Sequence, residues 1–243
     1  MRSQVAENVD LVFHNTANML QHIHYAPKTL DDKFSAQIFN SYLQQVDPGK
    51  RIFLQQDIKE FKKFESQLDD ELKGKAANFY KVVNNTFRQR LEESEKLVNE
   101  LLKEPFQFNR AESFNANMEK EPWANSADEQ KNRWRNYLKY QVLAQYDDLL
   151  ELQAKDSAAV KSTESPEKRA RDVVARIEKR YIENLRKLTT EEESFNTYIN
   201  SVINLYDPHS NYFLPVDRRE FQENMSGIYY GIGALLQEQQ GKV

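Results

Sequence analysis

A mainly α-helical chain that ends in a short β segment is the architecture this sequence predicts. Three observations lead there. Gly and Pro together make only 13 of 243 residues, a scarcity of turn formers that suits long helices with few corners. Apolar side chains recur at intervals of three and four over most of the chain, the period of one helix face. Four of the six glycines fall in the last 17 residues, among Ile228, Tyr229, Tyr230 and Ile232, where aromatic and β-branched residues favour strand.

Val5, Val9, Val12, Phe13, Leu20 and Ile23 mark a first helix from about 4 to 24. Leu30, Phe34, Ile38, Tyr42 and Val46, four apart each time, mark a second, stopped by Asp47-Pro48-Gly49. After the apolar connector Ile52-Phe53-Leu54, one helix is expected to carry Ile58, Phe61, Phe64, Leu68 and Leu72, with Gly74 as its C-cap. A long helix from about 76 to 103 follows, with Phe79, Val83, Phe87, Leu91, Val98 and Leu102 on one face, ending before Pro105.

Between 105 and 125 the period fails, and Phe106, Phe108, Phe114 and Trp123 predict an ordered loop pinned by aromatics. Ser126 and Glu129 have the spacing of a capping box, opening a helix through Trp134, Leu138, Leu143, Leu149 and Leu152. Residues 156 to 165 read as a solvated linker. Ser165-Pro166 starts a helix through Ala170, Val173, Ile177, Tyr181 and Leu185. Thr190 and Glu193 start the last, with Phe195, Ile199, Val202 and Tyr206, which stops at Asp207-Pro208. The chain changes character near Ser226, so residues 1–225 are expected to form a helical domain and 226–243 the incomplete start of a second one.

Composition excludes several functions. Lys and Arg number 34 against 38 Asp and Glu, net −4, with the basic residues dispersed among acids, which argues against a nucleic-acid partner. No stretch approaches the ~18 to 20 apolar residues of a transmembrane span. The absence of cysteine removes disulfides, thiolate catalysis and Cys-ligated zinc. The opening Met1-Arg2-Ser3-Gln4 lacks the apolar core of a signal peptide, so either the protein is not exported or its signal precedes Met1 and has been removed.

Candidate chemistry is sparse. His22 and His24 are two apart and diverge on a helix, without HExxH or Glu-x-x-His, so no metal or other cofactor is expected. Asp207-Pro208-His209-Ser210 holds the residue types of a hydrolytic triad, but neighbours in one turn cannot aim at one another, and turn chemistry explains them. Acid pairs such as Asp69-Asp70 and Asp147-Asp148 read as solvated faces. Gly231-Ile232-Gly233-Ala234 is the candidate binding site. Two glycines around one apolar residue let successive N–H groups turn inward as an anion-binding nest, ahead of a strand able to pair with a peptide whose C-terminal carboxylate is held.

Several stretches, in order, resemble the N-terminal domain of the bacterial tail-specific, or carboxy-terminal processing, proteases. They are His24-Tyr25, Leu30-Asp31-Asp32, Ser35, Ile38-Phe39, Tyr42-Leu43 and Asp47. Glu104-Pro105 and Pro122-Trp123 follow, then Asp207-Pro208-His209-Ser210 with Tyr212 and Pro215, then Phe221, Met225-Ser226 and the run GIGALLQ from Gly231 to Gln237. Tyr230 departs from the glutamate that often precedes the tetrad in that family. The resemblance implies an exported, periplasmic or cell-envelope serine endopeptidase that degrades or trims proteins with exposed C-termini. Its PDZ domain holds the substrate tail, and a Ser/Lys dyad lying beyond this chain cuts, so no catalytic residue is assigned here. Gly231, Ile232, Gly233 and Ala234 would open the PDZ domain. The helical domain would shape substrate access and dock an adaptor protein. The rival expectation is a free-standing helical scaffold, disfavoured by an end on an unpaired apolar strand edge.

Overall fold

The computed structural model describes residues 9–110, 112–113, 115–118, 120–155, 164–214, 221–222 and 225–226. Among them are eight α-helices and no β-strand: α1 (Val9–His22), α2 (Asp32–Val46), α3 (Gln55–Phe61), α4 (Leu68–Leu72), α5 (Phe79–Leu101), α6 (Ala127–Lys155), α7 (Pro166–Lys187) and α8 (Glu191–Tyr206). The mainly helical class is therefore observed. The expected β segment after Ser226 and most of the 156–165 linker lie outside the described residues, as do all residues beyond the expected boundary except Ser226 itself.

The helix starts follow their local chemistry. Asp31 accepts the Phe34 N–H at 2.9 Å, Ser165 that of Lys168 at 3.2 Å with Pro166 behind it, and Thr190 that of Glu193 at 3.3 Å. Each satisfies an otherwise orphaned donor of a first turn. At α6 the box is shifted: Ser126 Oγ accepts the Glu129 N–H, while the Glu129 carboxylate returns to the Asn125 N–H.

The single helix expected over 58–72 is broken. A 3₁₀ turn at Lys62–Phe64 separates α3 from α4, and the Leu68 N–H turns to the buried Ser35 hydroxyl of α2 at 2.8 Å. A tertiary acceptor here replaces an intrahelical one. α4 then closes on Gly74 at φ +116°. Gly74 N–H donates to the Glu71 carbonyl and Lys75 N–H to that of Asp70, a Schellman close that requires the left-handed glycine.

α5 joins two groups of helices. α2 packs on α8 and α4, and α1 on both α4 and α8; α6 and α7 lie along each other; α5 touches α7, α8, α6 and α3. The first group meets in an aromatic nest of Phe13, Phe39, Tyr42, Phe79, Tyr80 and Tyr198, with ring centroids 5.1–6.0 Å apart in the contacting pairs. Beneath it the buried Glu71 accepts the Tyr198 hydroxyl at 2.7 Å and the N–H groups of Asn78 and Phe79 at 2.9 and 3.1 Å. A carboxylate there satisfies the first turn of α5 and faces its positive end. Burial nevertheless pushes Glu71 up from the ordinary glutamate value.

Two seams differ from expectation. α6 buries Trp134, Leu138 and Val142, leaving Leu143 and Leu152 exposed. α7 buries Ala170, Val174, Glu178 and Ile182, leaving Ile177 at 45% exposure. Strict four-residue spacing places a glutamate in the apolar row.

Candidate functional site

The connector between α2 and α3 is held on both edges. Asp47, buried at the end of α2, accepts the N–H groups of Arg51, Ile52 and Phe53 at 3.1, 3.2 and 3.0 Å, and Trp123 Nε1–H at 3.0 Å. From the other side α6 donates Gln130 Nε2 to the carbonyls of Arg51 and Ile52, and Trp134 Nε1 to that of Arg51. Backbone that belongs to no helix is thereby paired, as burial requires. Burial pushes the Asp47 carboxyl up, against the lowering effect of its four donors. Lys50, in the left-handed region at φ 47°, donates to the Glu121 carbonyl at 2.6 Å and lies 4.9 Å from the Trp123 ring centre. Gln55 N–H reaches the Ala124 carbonyl at 2.8 Å. The 120–125 segment is thus clipped to the connector.

This clipping aims Arg51 at α6 and α7. Its guanidinium lies 3.6 Å from the Tyr137 ring centre and 4.8 Å from that of Trp134, geometry that attracts a cation to the ring faces. Glu178, 1% exposed, accepts the Tyr137 hydroxyl at 3.0 Å. Its burial raises its pKa, which Tyr137 and Arg51 partly counter.

Beyond the cluster, the described residues of the 105–121 loop lie beside α6 and leave three cavities that share walls. One of about 400 Å³ lies over Arg51, Arg133, Tyr137 and Met118. It shares Ser113, Ala116, Asn136 and Tyr140 with one of about 250 Å³ over Phe108 and Leu143. That second cavity shares Arg110, Glu112 and Lys139 with a third of about 340 Å³ reaching Glu100 and Lys131. Glu112 pins loop to helix by accepting from Arg135 at 3.0 Å and from Lys139. Both bonds, that from Lys139 foremost, lower its pKa. Phe106, Phe108 and Trp123 pack on the core, as an aromatic-pinned loop should, while Phe114 lies outside the described residues.

The turn after α8 is turn chemistry, as expected. Asp207 accepts the His209 N–H at 3.0 Å and the Ser210 hydroxyl at 2.9 Å, and these bonds hold its pKa low. The imidazole of His24 lies 5.6 Å from the Tyr206 ring, and His24 and Ser210 line one apolar groove of about 340 Å³. The first and late stretches of the family resemblance therefore meet in space. No group of three or more His, Asp or Glu among the described residues gathers as for a metal ion. No helix among them is long and apolar enough to cross a membrane. Gly231, Ile232, Gly233 and Ala234 lie outside the described residues.

Asn136, Arg51, Tyr137 and Glu178 escaped the sequence reading. Their signal was slight: an arginine preceding an apolar triplet, and a glutamate in phase with Ala170, Val174 and Ile182.

The helices define an all-helical class of domain among the described residues, with a surface trough along α6. The chain belongs to the tail specific protease N-terminal domain family, whose pattern matches residues 16–216. It is similar to the tail-specific protease of Haemophilus influenzae, with 26% identity over 98% of this chain and 32% of that protein. The chain thus spans about a third of that relative's length.

Proposed function

We propose that this chain is the non-catalytic N-terminal helical part of an exported carboxy-terminal processing serine endopeptidase, which recognises substrate C-termini and degrades or trims proteins. Residues 1–225 form the helical domain, which shapes substrate access and docks an adaptor. Residues 226–243 begin a PDZ domain, in which Gly231, Ile232, Gly233 and Ala234 hold the substrate carboxylate. The Ser/Lys dyad lies outside this chain, and the enzyme works in the periplasm or cell envelope.

The family match over 16–216, together with a relative three times as long, carries this reading. A free-standing scaffold gains nothing from either. The test is to express the 243-residue chain and the native polypeptide that contains it, and to offer each an unfolded protein and a peptide with a free or amidated C-terminus. The longer polypeptide should cleave, more slowly when the carboxylate is amidated, and the shorter chain should not. Cleavage by the shorter chain, or none by the longer, overturns the proposal.

A further inference from the structure

We propose that the trough between α6 and the 105–121 loop binds an extended, acidic segment of a client polypeptide. The inference rests on the protein-processing role above, and adds a contact away from the client's C-terminus.

Dimensions come first. The three cavities follow α6 from Lys131 to Leu143, a rise of ~18 Å, which matches about five or six residues of extended chain. The apolar surface is supplied by Tyr137, Tyr140, Phe108 and Met118, flat or pliable groups that accept varied side chains. At the junction of the two upper cavities stands Asn136, whose Oδ1 is buried and without a hydrogen-bond partner. Such an acceptor is costly to leave unmet. A carboxamide both accepts and donates, so a small turn of this half-buried side chain would offer it to the backbone N–H and C=O of one extended residue.

Charge selects the kind of segment. Arg51, Arg110, Lys131, Arg133, Arg135 and Lys139 line the trough, against Glu100, Glu104, Glu112 and Glu121, in a chain whose net charge is −4. Three of the acids are engaged, Glu100 by Lys131, Glu112 by Arg135 and Lys139, and Glu121 by Asn115, while Glu104 stands exposed at one end. Arg110 is exposed and has no ion pair among the described residues, and Arg51 rests on rings rather than in a salt bridge. Lys131, Arg133, Arg135 and Lys139 are themselves paired. An acidic segment would therefore meet Arg110 and Arg51 in a lining of six cations against four acids, whereas a basic one would meet Glu104 alone.

The probe is a fluorescent eight-residue peptide alternating Glu with Phe or Leu, amidated so that tail recognition is silent, titrated into the 243-residue chain by anisotropy. Its controls are the same peptide with Lys for Glu, and a single-stranded DNA oligonucleotide as competitor. Saturable binding at micromolar concentration is expected, at least fivefold weaker for the Lys peptide and weakened by 0.5 M salt. Arg110→Glu and Asn136→Ala, each verified as helical by circular dichroism, should weaken it roughly three- to tenfold. Equal binding of both peptides, no effect of either variant, or preferential displacement by DNA overturns the proposal. So does dimerisation of the chain that buries the trough, seen by sedimentation. Peptide binding without cleavage by the longer polypeptide would sink the protease reading alone; cleavage without peptide binding would sink only this one.

Discussion

Arg90 and Asp57 show how one residue pair can fix two elements. Asp57, 3% exposed, accepts Arg90 Nε–H and Nη2–H at 2.9 Å each and the Leu54 N–H at 2.8 Å. The carboxylate therefore caps α3 and binds it to α5, and the bidentate pairing holds Arg90 firmly protonated. Asp57→Ala leaves a mostly covered guanidinium with only Glu93 at 2.8 Å and removes the Leu54 cap, and a loss of about 3 kcal/mol is expected. Urea unfolding of the variant measures it, and a loss under ~1 kcal/mol contradicts the assignment. Glu178 is the opposite case. Its folded pKa is raised by burial, so the native state holds that proton more tightly than the unfolded chain does. Its contribution is complete below the unfolded glutamate value and is lost as pH rises through the folded one. Glu178→Gln keeps an acceptor for Tyr137 and removes the titration. Its melting temperature should therefore gain on the wild type's as pH climbs from the unfolded glutamate value toward neutrality. Parallel melting curves across that range would rule this out.

At the scale of elements, ends were more legible than faces. Asp31, Ser165-Pro166 and Thr190 announce α2, α7 and α8 because a cap bonds within three residues of itself, and such chemistry is local in sequence. The break between α3 and α4 was hidden, since its cause is the Ser35 hydroxyl 33 residues away, and Phe61, Phe64 and Leu68 keep helical spacing across it. The α7 face was misjudged because Ile177 is apolar and Glu178 is not, yet Tyr137 and Arg51 make the buried glutamate tenable. Nearly all of the trough was illegible for the same reason: its walls come from a loop, the connector and α6, joined only by tertiary contact. Gly74 was read as a C-cap, and its backbone tests the reading. Gly74→Ala leaves the nearest side chain, His14, at ordinary contact distance, so φ +116° alone determines the outcome. A destabilisation of about 1–2 kcal/mol is expected, read as a lower urea midpoint with unchanged slope. A neutral result would mean the α4 terminus re-forms without its left-handed residue.

Across the whole molecule, one continuous apolar cluster runs from Val9 to Tyr206 and includes residues of α1 through α8, although the helices fall into two groups. Their common member is α5, which presents Phe79 to Phe39, Tyr42, Phe61, Phe64 and Tyr198, and Val98 and Leu102 toward the end where Arg171 of α7 caps the Leu102 and Lys103 carbonyls. A helix that supplies core to both groups cannot lose its packing in one without disturbing the other, so the described domain should unfold as a unit despite exceeding the size at which this is usual. Both tryptophans offer a local reporter: Trp123 bonds Asp47 and Trp134 bonds the Arg51 carbonyl, on the connector and α6 rather than in the Phe79 nest. Phe79→Ala removes a fully buried ring and should cost about 3–5 kcal/mol. Tryptophan emission and helical ellipticity should then shift to the same lower urea midpoint, although neither indole touches the mutated site. If emission keeps its wild-type midpoint while ellipticity falls in two steps, α5 does not couple the groups, and α6–α7 with its trough is an independently stable unit.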